Sequence, residues 1–200
     1  MPVVLTLWVI TLLVLGYSLK KTNKQITEKH IPLMGVLAAF VFAAQMVNIP
    51  VAAGTSGHFL GGILVVIFLG PWAGAVIMAT IFIVQAVLFQ DGGILALGAN
   101  IFNMVVVGTI LGYYLYRGLL KVSKTRSISA AVAAWATIVM ASTACAVELA
   151  LSGTAPFGVV VPAMISVHVV IGIIEAVVTV VILSAVLKTR PDLLSLEVPS

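Results

Sequence analysis

Three histidines, six acidic side chains and one cysteine are nearly all the groups in this 200-residue chain that could ligate a metal or move a proton. His58 closes a small, polar, glycine-rich run, Ala52-Ala53-Gly54-Thr55-Ser56-Gly57-His58. A neutral imidazole is the commonest side-chain metal ligand near pH 7. A lone histidine can equally be a hydrogen-bonded structural residue. His168 and Glu175 stand seven apart, on one helix face and two turns from each other. With Glu148 they are ionisable groups set in apolar sequence, where such groups are costly and turn towards a partner inside. They read either as an ion or proton pathway or as interhelical pairs that fix packing. Asn48, Asn100 and Asn103 flank apolar segments, and their amides could hold a loop over a pocket or cap helices. Asp91-Gly92-Gly93 is a turn signal. Cys145 has no second cysteine to pair with.

The motifs of several enzyme classes are absent from the sequence. There is no G-x-x-x-x-G-K-[ST] for a P-loop. There is no H-E-x-x-H, cysteine cluster or G-x-S-x-G for a zinc or serine hydrolase. Composition narrows the field further. The chain is 62% hydrophobic and 8% charged, with a mean hydropathy of +1.27. A soluble domain is about one quarter charged. Lipid is therefore the expected solvent, which excludes a cytosolic enzyme, a nucleic-acid reader and a disulfide-stapled secreted domain.

Seven apolar segments can position these residues: 3–19, 31–47, 51–70, 72–89, 101–116, 130–151 and 163–187. Only helices or closed barrels satisfy their backbone in lipid, and no alternating strand pattern is present. The expectation is an all-α membrane protein, one polytopic seven-helix bundle over residues 1–190 with a short tail at 191–200. The first segment lacks a positive leader and a cleavage site, so it reads as a retained helix. Lys20, Lys21, Lys24 and Lys29 follow segment one, Arg117, Lys121, Lys124 and Arg126 follow segment five, and Lys188 and Arg190 follow segment seven. Seven spans put all ten on one face, which the positive-inside rule makes cytoplasmic. The N-terminus is then outside, the C-terminus cytoplasmic, and loops 48–58, 90–100 and 152–162 lie outside. The join at Gly70-Pro71 is a very short inner turn.

The third segment is irregular. Its unbroken apolar helix runs only from Phe59 to Leu69, about 16 Å, which is too short to span. The chain either dips in as a loop or unwinds near Gly54 to Gly57. Non-helical backbone at membrane depth must be buried in protein or line a cavity, and broken helices often form substrate sites. Small residues four apart, at Ala39 and Ala43 and at Gly108 and Gly112, permit close helix contact, within the chain or with a partner. No inverted repeat is visible. A small polytopic chain with an outer pocket and no motor suggests a binding subunit that borrows energy from partners.

The stretches Phe40-Val41-Phe42-Ala43-Ala44-Gln45-Met46-Val47-Asn48, Gly54-Thr55-Ser56-Gly57-His58, Leu69-Gly70-Pro71-Trp72-Ala73 and Leu97-Gly98-Ala99-Asn100-Ile101-Phe102-Asn103-Met104, together with Asp91-Gly92-Gly93, resemble the CbiM/NikM family. So does the run from His168 to Ala176. These are the membrane-embedded substrate-binding components of energy-coupling-factor transporters for cobalt and nickel. The resemblance implies a non-enzymatic subunit of the cell membrane, without a prosthetic group, that binds Co2+ or Ni2+ near the outer face. It implies as partners a transmembrane scaffold component, two cytoplasmic ABC ATPases and a small accessory membrane subunit. It makes His58 a metal ligand and a small-residue helix face the docking surface for the scaffold, with Ala39 and Ala43 as the candidates; Asn48, Thr55, Ser56, Asn100 and Asn103 are candidate pocket residues from their own types and places. Glu148, His168 and Glu175 remain a candidate intramembrane polar network.

One position departs from the family. Its members begin Met-His, and the terminal amine, the second residue's backbone nitrogen and its imidazole join the GTSGH histidine in a near-planar nitrogen site. Such tetragonal geometry suits Ni(II) and accommodates Co(II). Here residue 2 is Pro2, which has neither a backbone N–H nor an imidazole. A start lying upstream of this one, a ligand from a partner chain and an altered substrate are the three explanations, and the first is preferred. Two other classes stay in view: a binding component for an organic nutrient, and a small intramembrane enzyme using Glu148, His168 and Glu175.

Overall fold

The computed structural model describes residues 2–51 and 55–194. Its helices are α1 (Pro2–Gln25), α2 (Ile31–Gln45), α3 (Gly62–Leu88), α4 (Leu97–Ile101), α5 (Gly112–Ser123), α6 (Arg126–Leu151) and α7 (Phe157–Thr189). A π-wound stretch, Phe102–Leu111, joins α4 to α5, so Leu97–Ser123 is one continuous rod. A two-stranded hairpin, β1 (Ile49–Pro50) against β2 (Ser56–Gly57), stands between α2 and α3. Among the described residues five helices are long and apolar enough to cross a membrane, and Ile31–Gln45 is a shorter apolar helix. At 24 residues, α1 is about 36 Å long. It turns Leu5, Val9, Leu12 and Leu13 outward, and α7 does the same with Val170, Ile173, Ile174, Val177 and Val181. Apolar faces of this length match lipid.

The expected third and fourth segments form the two arms of α3, broken at Gly70, where φ is 75° and ψ 177°. Only glycine takes that conformation readily. Thr109 shows that the chain reverses there. A Cβ on Gly62 would lie 3.0 Å from Thr109 Oγ1, and one on Gly74 would lie 3.3 Å from its Cγ2. Twelve residues of straight helix would hold those glycines about 18 Å apart. The first arm, residues 62–69, is about 12 Å long. Ile63, Leu64, Val65 and Val66 have no exposed surface. An arm that is apolar all round belongs at the centre of a bundle, and it enters three separate apolar clusters.

Several boundaries differ from the sequence reading, since α1 runs on to Gln25, the rod covers Leu97–Ser123 rather than 101–116 and α6 starts at Arg126 rather than 130, and two more bear on the site. Helical structure after the hairpin begins at Gly62 rather than Phe59, because the backbone of residues 60 and 61 is engaged by α7 instead. The outer turn expected over 152–162 ends at Pro156, and α7 starts at Phe157 with Pro162 inside it.

The basic clusters share one end of the bundle. Tyr17, just before Lys20, meets Trp72 edge-on at 4.9 Å, directly after the Gly70 reversal. Leu193 and Leu194, beyond Arg190, pack with Leu33, Leu37 and Phe68. Leu194 also joins Leu119 and Leu187. The hairpin, the 89–96 loop and the 152–156 turn crowd the opposite end.

Candidate metal centre

Residues 55–61 run alongside α7 without forming helix. Thr55 Oγ1 donates to Met164 Sδ at 3.2 Å. Gly57 lies so close that a Cβ there would fall 2.5 Å from Ile171 Cδ1 and 3.1 Å from the Cε1 and Nε2 atoms of His168. The backbone N–H groups of Leu60 and Gly61 donate to Glu175 Oε2 and Oε1, at 2.6 and 2.7 Å. A fully buried carboxylate thus satisfies the N-terminus of α3, where free N–H groups and the helix dipole favour negative charge. Gln45 Nε2 donates to the Leu60 carbonyl at 2.7 Å, and Gln85 Nε2 donates to Gln45 Oε1 at 3.0 Å. The irregular backbone is therefore held from both sides.

His58 is half-buried in this segment. Its Nδ1 lies 2.7 Å from the Phe59 carbonyl oxygen, which can only accept, so Nδ1 carries the proton. The tautomer follows from this network. Nε2 is left with a free lone pair, the arrangement seen in metal-ligating histidines, whose other nitrogen donates to a carbonyl. The imidazole lines a cavity of about 320 Å³ that also meets Thr55, Ser56, Asn100, Asn103, Cys145 and His168. His168 repeats the pattern, with Nδ1 2.7 Å from the Met164 carbonyl. Asn103 Nδ2 donates to Glu148 Oε2 at 2.7 Å. Its Oδ1 is buried and accepts no hydrogen bond among the described residues.

Two amides tie the 91–92 loop beside these groups. Asn48 Nδ2 donates to Asp91 Oδ2 at 3.3 Å, and Asn100 Nδ2 donates to the Gly92 carbonyl at 3.1 Å. Asp91 and Gly92 form part of the cavity wall. Helix α1 buttresses that loop and the start of α4, through Trp8 Nε1 to the Leu95 carbonyl and Thr11 Oγ1 to the Gly98 carbonyl.

The structure brings His58, Thr55, Ser56, Asn100, Asn103 and His168 to one cavity. Asn48 acts through Asp91, and Glu148 through Asn103. Glu148, His168 and Glu175 do not form one network: each has its own partner, and Glu175 lies off the cavity wall. That separation disfavours an enzyme built on those three. Ala39 and Ala43 lie on the exposed face of α2, away from the site. Gly108 and Gly112 serve internal packing, against Leu60 and Ile63. Ala52, Ala53 and Gly54 fall outside the described residues. The sequence reading overlooked Gln45 and Gln85, buried amides in apolar helices whose cost there was itself a signal. It also overlooked Met104 and Met164 on the wall, which nothing in residue type marks out. Among the described residues no group of three His, Cys, Asp or Glu side chains is placed to hold a metal ion.

Comparison with known proteins gives this geometry its context. The family model described as "Cobalt uptake substrate-specific transmembrane region", CbiM, matches residues 1–193. A protein of Archaeoglobus fulgidus, provisionally named a fused nickel transport protein NikMN, is 40% identical over 189 residues, which is 94% of this chain and 62% of that protein. The chain thus spans less than two thirds of that relative. A protein of Methanocaldococcus jannaschii, provisionally named a metal transport protein, is 36% identical across 96% of this chain and 90% of its own. A crystal structure described as a truncated transition metal transporter superposes with a TM-score of 0.88 at 34% identity, covering 94% of each chain. The chain belongs to the CbiM family of cobalt uptake substrate-specific transmembrane regions.

Proposed function

We propose that the chain is the substrate-binding membrane subunit of a Co2+ or Ni2+ importer, and that His58 Nε2 ligates the ion. One observation carries this reading: His58 lines the cavity while its Nδ1 is taken up by the Phe59 carbonyl, which leaves Nε2 as the nitrogen available to a ligand. Imidazole nitrogen suits both ions, and nitrogen sites favour nickel over cobalt in the divalent series. The names of the relatives, which include nickel and cobalt transport proteins, support a transported ion.

The cavity lies at the end of the bundle away from the Lys and Arg clusters, which the positive-inside rule makes the outer end. The N-terminus is then outside and the C-terminus cytoplasmic, in a cell membrane crossed seven times if each arm of α3 counts as a pass. With no nucleotide motif of its own, the chain takes its energy from an energy-coupling-factor assembly: a scaffold component, two ABC ATPases and a small accessory subunit. Ala39 and Ala43 supply an exposed small-residue face on α2 for the scaffold. The ion is cargo, and no prosthetic group is required.

The test is metal-dependent uptake in cells that hold the partner subunits. His58→Ala abolishes accumulation of cobalt or nickel while the protein still reaches the membrane. Uptake indifferent to His58 and to chelators, with an organic nutrient bound instead, overturns the proposal.

A further inference from the structure

We propose that the groove between the end of α1 and the start of α2 binds the headgroup of an acidic phospholipid, with Lys20 and Asn23 on its phosphate and Thr27 and Glu28 on its hydroxyl groups. Helices α1 and α2 each pack on α3 and hardly on each other. They leave between them a groove of about 580 Å³ at the basic end of the bundle, opposite the metal cavity.

The groove lies at the depth of a headgroup. Tyr17 meets Trp72 edge-on at 4.9 Å, and these two residue types gather where hydrocarbon gives way to water. Lys20 follows Tyr17 by three residues, about 4.5 Å further along the helix axis. Lys21 Nζ stays 5.5 Å from the centre of the Tyr17 ring, while Lys20 forms part of the groove wall. Lys21 and Lys24 add positive charge around it, and basic pockets between helices at the cytoplasmic surface suit anionic headgroups.

The groove offers donors and acceptors together. Among the described residues Lys20, Asn23 and Glu28 have no hydrogen-bond or ion-pair partner of their own. An ammonium group and an amide N–H are thus available to a phosphate. The Thr27 N–H donates to His30 Nδ1 at 3.2 Å, so that nitrogen is an acceptor. Thr27 Oγ1, 3.0 Å from the same nitrogen, must then donate to it as well. With its proton committed, the Thr27 oxygen can only accept, and so can the Glu28 carboxylate. Those acceptors suit the hydroxyl groups of a phosphoglycerol headgroup, which a choline headgroup lacks. Leu19 and Ile31, 56% and 59% exposed, flank the groove with Ile26. That apolar rim has no use for a free anion and gains by covering the chains of a lipid.

The test is native mass spectrometry on the full chain in mild detergent, with phosphatidylglycerol and phosphatidylcholine as probes. The wild type should retain one phosphatidylglycerol in preference to phosphatidylcholine. Lys20→Gln should weaken that retention about fivefold, and Lys20→Arg should keep it. Lys188→Gln removes an equal charge outside the groove and should change nothing. Asn23→Trp leaves the net charge alone, fills the groove and should abolish binding, with detergent melts showing that each variant is folded. Equal retention of the two lipids, equal losses in Lys20→Gln and Lys188→Gln, or full binding in Asn23→Trp overturns the proposal. Displacement of the lipid by an equal concentration of inorganic phosphate or glycerol phosphate marks a free-anion site and overturns it too.

Discussion

Removing the Glu175 carboxylate should damage both stability and metal binding, through the start of α3. In Glu175→Ala the N–H groups of Leu60 and Gly61 lose their acceptors, now 2.6 and 2.7 Å away. Leu60 is 1% exposed and Gly61 is buried beside it. An orphaned buried donor costs about 1–3 kcal/mol, so two cost about 2–6 kcal/mol, before the cavity left by the side chain is counted. For a chain of this size each kcal/mol moves the melting temperature by roughly 2–4 °C. A fall on the order of 10 °C is therefore expected in a detergent melt followed by size-exclusion chromatography. Glu175→Gln keeps one acceptor and turns an NH2 towards the other N–H, so it should fall between wild type and Glu175→Ala. The same loss frees residues 55–61 from α7, so nickel affinity should drop even though Glu175 lies off the cavity wall. Wild-type melting and wild-type affinity in Glu175→Ala would refute the reasoning that this carboxylate positions the site.

Other outcomes follow from particular contacts. Gly70→Ala puts a Cβ where φ is 75° and ψ 177° but where nothing lies within 4 Å, so the cost, about 1–3 kcal/mol, is purely conformational; Gly35→Ala, which also meets nothing within 4 Å, is the neutral control in the same melt. Gln45→Leu strands the Leu60 carbonyl and Gln85 Nε2 and should cost about 1–3 kcal/mol, whereas Gln45→Leu with Gln85→Leu should cost less than the sum, as a double-mutant cycle would show. Gly62→Ala would press a Cβ to 2.7 Å from the Gly108 carbonyl oxygen, a backbone atom that cannot swing away, and should lower the yield of monodisperse protein.

Much of the architecture was legible because lipid demands long apolar helices and confines charge to the ends. The gathering of Lys20, Arg117 and Lys188 at one end of the bundle, and the reversal at Gly70-Pro71, could both be read from the chain. So could the non-helical backbone over 55–58, since small polar residues cannot be left helical and exposed to lipid. The Asn48 and Asn100 amides hold the Asp91 loop, one of the two roles open to them. What stayed hidden depends on contacts between residues far apart in sequence. The spacing of His168 and Glu175 suggested a pair, yet Glu175 answers to backbone donors 114 and 115 residues away, which carry no side-chain signature. The π-winding over Phe102–Leu111 is equally silent, because its residues are ordinary apolar helix formers. Met104, Met164 and Cys145 reach the cavity wall from helices whose composition alone only says that they are buried.

The account turns on His58 as the residue that holds the ion. The most direct test is equilibrium binding of Ni2+ and Co2+ to the detergent-purified full chain, wild type beside His58→Ala, with melting curves to show that both are folded. The account predicts stoichiometric metal on the wild type and none on His58→Ala at matched stability. Metal retained with unchanged affinity after His58→Ala, or a folded wild type that takes up neither ion, would contradict it.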